Sequence, residues 1–259
     1  MMRISETVKH LIIINVIMFI GTLFIANGAF YEWFAMHFPK SESFKPWQII
    51  THMFMHGGGR DLQNLSITHL LFNMFGLWMF GSSVEQVLGS KRFLFIYISA
   101  GLGAVALQTG YFYYEFQTGL DLIAEAGFSN SEIMNALSSG KNLLNTNLAN
   151  VIPVDELSAF QNSYYVPMVG ASGCLMGVMA AFGMMNPNAE LMMIFLPIPI
   201  KAKYFIPGII LIDLISGIRG QSIFGYGNVA HFAHVGGAVT GFLIMWYWKK
   251  TQFNRNRWN

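Results

Sequence analysis

The sequence predicts an all-α membrane protein: a bundle of six transmembrane helices with both termini on the cytoplasmic side. Three observations predict it. Hydrophobic residues make up 54% of the 259-residue chain and charged ones 11%, where soluble domains carry about 25% charged. Six apolar runs approach the roughly 20 residues that cross a bilayer core. The basic residues divide unevenly between the two sides that those runs define. The net charge of +2 comes from residues flanking apolar runs, so no basic patch for nucleic acid is built. A single cysteine, Cys174, excludes an intrachain disulfide framework and a Cys-rich metal site.

The first run, about 10–28, follows Arg3, Lys9 and His10. It exceeds the 7–15 apolar residues usual in a cleaved signal peptide, and more runs follow it, so it reads as a retained first helix. The other runs lie at about 68–88, 92–114, 168–185, 203–219 and 230–248. Between the fourth and fifth, "ELMMIFLPIPIKAK" offers only about ten apolar residues before Pro197 and Pro199. As a helix it would rise about 15 Å, half the hydrocarbon thickness, so it is assigned to one face as an interfacial stretch. With the N-terminus inside, the inner segments hold Arg3, Lys9, Lys91, Arg92, Lys201, Lys203, Lys249, Lys250, Arg255 and Arg257. The outer ones hold Lys40, Lys45, Arg60, Lys141 and Arg219. That bias obeys the positive-inside rule. Two large outer loops result, 29–67 and 115–167. "SNSE" (Ser129 to Glu132) in the second fits a capping box opening a short helix that ends at Gly140. Residues 1–259 read as one membrane domain.

Helices two, four and six all run from outside to inside, so their starts share one depth. Helix two begins "THLLFNMF", with His69 and Asn73 one turn apart on one face. Helix four begins "GASGCLMG" with Ser172, and helix six "HFAHVGGAVTG" with His231 and His234. Ser172 by itself fits close helix packing as well as chemistry. A histidine at the same depth changes that balance, because a serine hydroxyl becomes a nucleophile when a base takes its proton. Gly173 and Gly177 on one helix and Gly237 and Gly241 on the other allow close approach. His234 stands three residues before Gly237, on that face. An acyl-transfer site also needs donors for an oxyanion. His69, Asn73 and the backbone N–H of Ser172, unpaired at a helix start, are available.

These residues resemble the rhomboid family of intramembrane serine proteases over about residues 46–248. "GASG" (Gly170 to Gly173) is similar to the family's GxSG motif, which makes Ser172 the nucleophile. "AHVGGAVTG" (Ala233 to Gly241) is similar to AHxxGxxxG, which makes His234 the base. "HLLFN" (His69 to Asn73) matches HxxxN, which makes both residues oxyanion-hole donors. "GSSVEQVLG" (Gly81 to Gly89) matches GxxxExxxG. The resemblance implies a Ser-His dyad, no metal and no cofactor. It implies cleavage of transmembrane protein substrates near their outer ends, among membrane lipids. The expected location is the cytoplasmic membrane of a bacterium, multi-pass. Departures are Met176, where many members carry an aromatic residue, Trp47-Gln48 in place of Trp-Arg, and longer loops at 57–68 and 115–167. Two other functions use the same features: a non-catalytic binder of transmembrane helices, and a membrane acyltransferase or lipid hydrolase working through the same dyad.

The remaining polar residues read as structural. His52 and His56 have the i,i+4 spacing of a metal pair, but Met53 stands where a zinc-peptidase helix carries its glutamate. Cys174 lies nearly opposite Ser172 and reads as packing. Glu85 lies far from the site, as a structural hydrogen-bond partner. His231 lies further out than His234 and has no glycine three residues on. Asp213 sits at about the depth of His234, where a triad would need a carboxylate. The resemblance implies a dyad instead, leaving Asp213 protonated or capped by backbone donors.

Overall fold

The computed structural model describes residues 3–25, 28–57, 67–193, 196–220 and 230–253. Arg60, Arg255 and Arg257, counted in the charge asymmetry, lie outside the described residues, as does most of the long stretch before His69. Helix α1 spans Glu6–Phe24, and the short α2 (Ala29–Phe34) and α3 (Gln48–Thr51) follow in the first loop. Helix α4 (Ile67–Gly76), one π-helical turn (Leu77–Gly81) and α5 (Ser82–Leu88) run as a single 22-residue span. Then come α6 (Ser90–Glu125), α7 (Asn130–Ser138), α8 (Val154–Tyr165), α9 (Ser172–Met185), α10 (Ala202–Arg219) and α11 (His231–Trp248). All six predicted runs are helical. Three of them, α1, the Ile67–Leu88 span and α6, are long and apolar enough to cross a membrane by length and composition. Of the others, α9 is apolar but only 14 residues long, while α10 carries Lys203, Asp213 and Arg219 and α11 carries His231 and His234. Ile17, Phe24, Leu71, Phe95, Leu211 and Trp246 are exposed, as expected where hydrocarbon replaces water around the bundle. The protein is an integral membrane protein built mostly of helix.

Helix α9 is the axis of the bundle. Every residue from Gly173 to Phe182 is buried, as a helix apolar on all sides requires. Its small residues let α11 and α6 approach to backbone contact. A Cβ on Gly237 would stand 2.0 Å from the Gly173 carbonyl oxygen, and one on Gly241 2.2 Å from that of Gly177. These are the two glycine pairs expected from the sequence. The third partner was not foreseen. Ala100 and Ala104 of α6 face Gly177 and Gly173, and Gly103 faces Thr240 and Gly236. Three helices therefore meet with almost no side chain between them.

Glu85 fixes the other end of the bundle. Its carboxylate accepts hydrogen bonds from the Ser5 hydroxyl, from the Thr7 and Val8 backbone N–H groups (3.1 Å each) and from the Ser90 hydroxyl (2.7 Å). Thr7 and Val8 lie in the first turn of α1, whose N–H groups lack intrahelical acceptors and attract negative charge. One carboxylate thus joins the starts of α1 and α6 to the far end of the span that begins near His69. His69 and Glu85 are about 24 Å apart along that span.

Three expectations need correction. The third helix does not end near 114; α6 runs on to Glu125, 36 residues in all. "YFYYEFQTGLDLIAE" carries too many polar groups for hydrocarbon but keeps an apolar stripe. Phe116, Leu120 and Ile123 on that stripe pack with Ile133 and Leu137 of α7 and Leu157 and Phe160 of α8. This second core makes the 115–167 loop a structured cap. The capping box does not form, because the Ser129 hydroxyl pairs with that of Ser131 at 2.7 Å, although α7 does start there and Gly140 does follow its end. The interfacial stretch is an antiparallel hairpin, β1 (Glu190–Met193) with β2 (Leu196–Lys201), in the register Glu190 to Lys201. Its prolines remove donors from one short strand, which an edge tolerates. The fold is therefore helical with one two-stranded ribbon.

Candidate active site

Ser172 opens α9, immediately after a segment that the first loop stitches in place. Met168 pairs with Met36 through two backbone bonds of 2.9 Å. The Gly170 N–H donates to the His52 carbonyl at 3.0 Å, and the Ala171 N–H makes a long 3.5 Å contact with His56 Nε2. Gly170 has φ +123°, a conformation that favours glycine. A side chain there would also meet the His69 ring at 2.9 Å and Ser172 Oγ at 3.6 Å. The missing Cβ leaves the serine hydroxyl and the His69 imidazole facing one space. His52 is held in turn, its Nδ1–H donating to the Gln48 carbonyl at 2.9 Å. Gln48, buried in the first loop, accepts from the Lys45 N–H and donates to the Glu32 and Ser43 carbonyls. This is the residue that replaces the family's arginine.

The Ser172 hydroxyl and His234 Nε2 are hydrogen-bonded at 2.9 Å. The bond crosses from α9 to α11 directly above the Gly173–Gly237 contact, as the glycine faces require. Gln108 of α6 sets the start of α11, its Oε1 accepting from the Ala233 N–H at 3.2 Å. Asn73 lies one turn after His69 on α4 and is buried; its Nδ2 donates to the His69 carbonyl at 2.8 Å. That bond uses one of the two amide hydrogens. The N–H of Ser172 stands in the first helical turn, where no intrahelical acceptor exists.

The structure thus brings Ser172, His234 and His69 together and sets Asn73 behind His69. Cys174 is buried against α6. His52 and His56 support the segment before Ser172 through backbone contacts, as loop structure. Asp213 departs from expectation. It is neither isolated nor capped by backbone: its Oδ2 lies 3.0 Å from His234 Nδ1 and its Oδ1 2.6 Å from His231 Nδ1. The physical reason is the contact of α10 with α11, where Gly217 admits the Phe232 ring against the helix backbone. Gln108 carried no motif, and His56 only a metal-pair spacing unrelated to the contact it makes. Their partners are backbone N–H groups, which have no identity in a sequence.

The family model described as "Rhomboid domain" matches residues 43–251. The curated protein named "Presenilin-associated rhomboid-like protein, mitochondrial" is 28% identical over 185 residues in both Bos taurus and Homo sapiens. Those residues are 71% of this chain and 34% of the relative. "Rhomboid protease GlpG" of Salmonella paratyphi A is 31% identical over 101 residues, 39% of this chain and 32% of the relative. The chain spans about a third of the length of the curated relatives it matches. The matched region contains Ser172, His234, His69 and Asn73 and most of the bundle that gathers them, and the chain belongs to the rhomboid family.

Proposed function

We propose that the protein is an intramembrane serine endopeptidase that cuts transmembrane protein substrates near the outer membrane face through a Ser172–His234 dyad. The observation that carries this reading is the 2.9 Å hydrogen bond between the serine hydroxyl and His234 Nε2, across helices that their glycines bring to backbone contact. His234 takes the Ser172 proton as Oγ attacks the substrate carbonyl. His69, Asn73 and the Ser172 N–H donate to the oxyanion as it forms. His234 then protonates the leaving amine, and water entering from the outer face hydrolyses the acyl-enzyme. The chemistry uses no metal or cofactor, and the partners are transmembrane substrates and lipid rather than nucleic acid. Rhomboids are generally serine proteases of this kind, and one relative carries the name of a rhomboid protease.

The test is cleavage of a generic single-span substrate by purified protein. Ser172→Ala and His234→Ala abolish cleavage and fluorophosphonate labelling without loss of folding. Asn73→Ala lowers kcat about 10²–10³-fold, the usual loss for one oxyanion donor, and leaves KM nearly unchanged. Normal cleavage by folded Ser172→Ala excludes the proposal.

The reading includes a single rhomboid-type domain with six crossings and both termini on the cytoplasmic side of a bacterial membrane. The basic asymmetry supports the orientation, and the shared end of α1, α5 and α6 at Glu85 agrees with its parity. Single cysteines at Ser139 and at Thr251, with Cys174→Ala, test it. An impermeant maleimide on intact cells labels the first and spares the second; the reverse pattern inverts the topology.

A further inference from the structure

The carboxylate of Asp213 receives two imidazoles from the same helix. His231 and His234 are three residues apart on α11, on one face. Their Nδ1 atoms reach the two different oxygens, 2.6 Å to Oδ1 and 3.0 Å to Oδ2. Asp213 is 8% exposed, and a buried carboxylate needs such donors. A neutral imidazole has one N–H, and an ionised carboxylate only accepts. With the His234 proton on Nδ1, Nε2 is left as a lone pair, 2.9 Å from the Ser172 hydroxyl. With the proton on Nε2, the Nδ1–Oδ2 contact is not a hydrogen bond unless the carboxyl is itself protonated, and the Ser172 oxygen becomes the acceptor rather than the donor.

We infer that Asp213 is a positioning residue of the active site, which holds His234 with its proton on Nδ1 and its Nε2 lone pair on Ser172, and that His231 holds the carboxylate in the plane that does so. The inference deepens the dyad reading and rests on it. The proton still moves from Ser172 Oγ to His234 Nε2 as the Oγ–C bond forms. It leaves for the amine nitrogen as the C–N bond breaks. Asp213 stays ionised throughout, and the Nδ1 proton stays on nitrogen. The carboxylate contributes orientation, and a negative charge beside the imidazolium as it forms. His231 is needed because the terminal torsion of an aspartate is soft and two-fold. A second donor on Oδ1 fixes Oδ2 towards His234. The other polar groups around His234 are Ser172 on α9, Gln108 on α6 and His69 on α4, none of them an acid. Asp213 is thus the one carboxylate among the described residues that reaches the base.

Two measurements decide this. In full-length protein with ¹⁵N-labelled histidine, the His234 ring nitrogens report the tautomer directly. The wild type shows Nδ1–H, and Asp213→Asn shifts the proton to Nε2, because an amide N–H now faces Nδ1. In cleavage kinetics, Asp213→Asn lowers kcat about 10²–10⁴-fold with KM changed a few-fold at most. His231→Leu lowers kcat more than His231→Gln, whose amide still donates to Oδ1. A wild-type His234 protonated on Nε2, or an Asp213→Asn enzyme within about threefold of wild-type kcat, overturns the inference. If wild type neither cleaves nor labels, the protease reading fails, while the tautomer measurement still decides the role of Asp213. If Asp213→Asn does not fold, the wild-type spectrum decides alone.

Discussion

His56 sits under the active-site segment with its ring fully buried, 5.0 Å from the ring of His69. Burial first, and the neighbouring imidazole second, push its pKa down to about 3; burial pushes His52 down to about 4. Both are neutral in the fold at any pH well above these values. In the unfolded chain each takes a proton below about 6.5. Between those limits the unfolded state binds more protons, so stability is full above about 6.5 and is lost as pH falls towards 3–4. The thermal midpoint in detergent is expected to drop between pH 7 and pH 5, with a shallower slope in His56→Gln. An unchanged slope in that variant assigns the acid loss to other groups. At this scale Ser172, His234, His69 and Asn73 were legible because acyl transfer dictates residue types, and helix periodicity dictates their spacing. Asp213 was visible but ambiguous: a lone intramembrane acid is compatible with a triad, a protonated carboxyl or a backbone cap. Only the lateral placement of α10 distinguishes these.

The contact of α9 with α11 sets the distance between nucleophile and base. On Gly237 a Cβ would fall 2.0 Å from a backbone carbonyl oxygen, which no rotamer change relieves. Gly237→Ala therefore forces the helices apart by about an ångström or more. A misplacement of that size costs about 10²-fold in rate. The expected outcome is a fall of that order in kcat and in fluorophosphonate labelling, in protein that still inserts. Gly110→Ala, on the open side of α6 with nothing within 4 Å, is the control and leaves both unchanged. Equal activity of the two variants would refute the glycine face as a spacer. The pairing of Gly173 and Gly177 with Gly237 and Gly241 was legible as repeats of small residues. The participation of α6 was not, since its "AGLGAVA" reads equally as lipid-facing filler. Nor was the length of α6, because hydropathy marks where a helix leaves hydrocarbon and not where it stops.

Across the whole molecule, α6 belongs to two cores. Its first half packs with α9 and α11, and its last three turns carry Phe116, Leu120 and Ile123 into the cap. Gly119 seats the Phe160 ring of α8 against the helix, and Phe116 stacks on Phe160 at 5.1 Å. Neither core was legible as a pair, since the cap's apolar residues are scattered through a loop of ordinary polarity. Because one helix serves both, the cap is a fixed post beside the site. From Gln108, level with the start of α11, to Glu125 the helix climbs about 25 Å. An extended peptide needs about seven residues to cover that height. For the proposed protease this becomes a rule of tether length. A folded domain joined to the scissile bond by fewer residues collides with the post on that side, and a longer leash clears it. Substrates differing only in that linker should be cut at a rate that rises steeply near seven residues and then levels off; a rate independent of linker length would mean that clients approach from the side of the bundle away from α6.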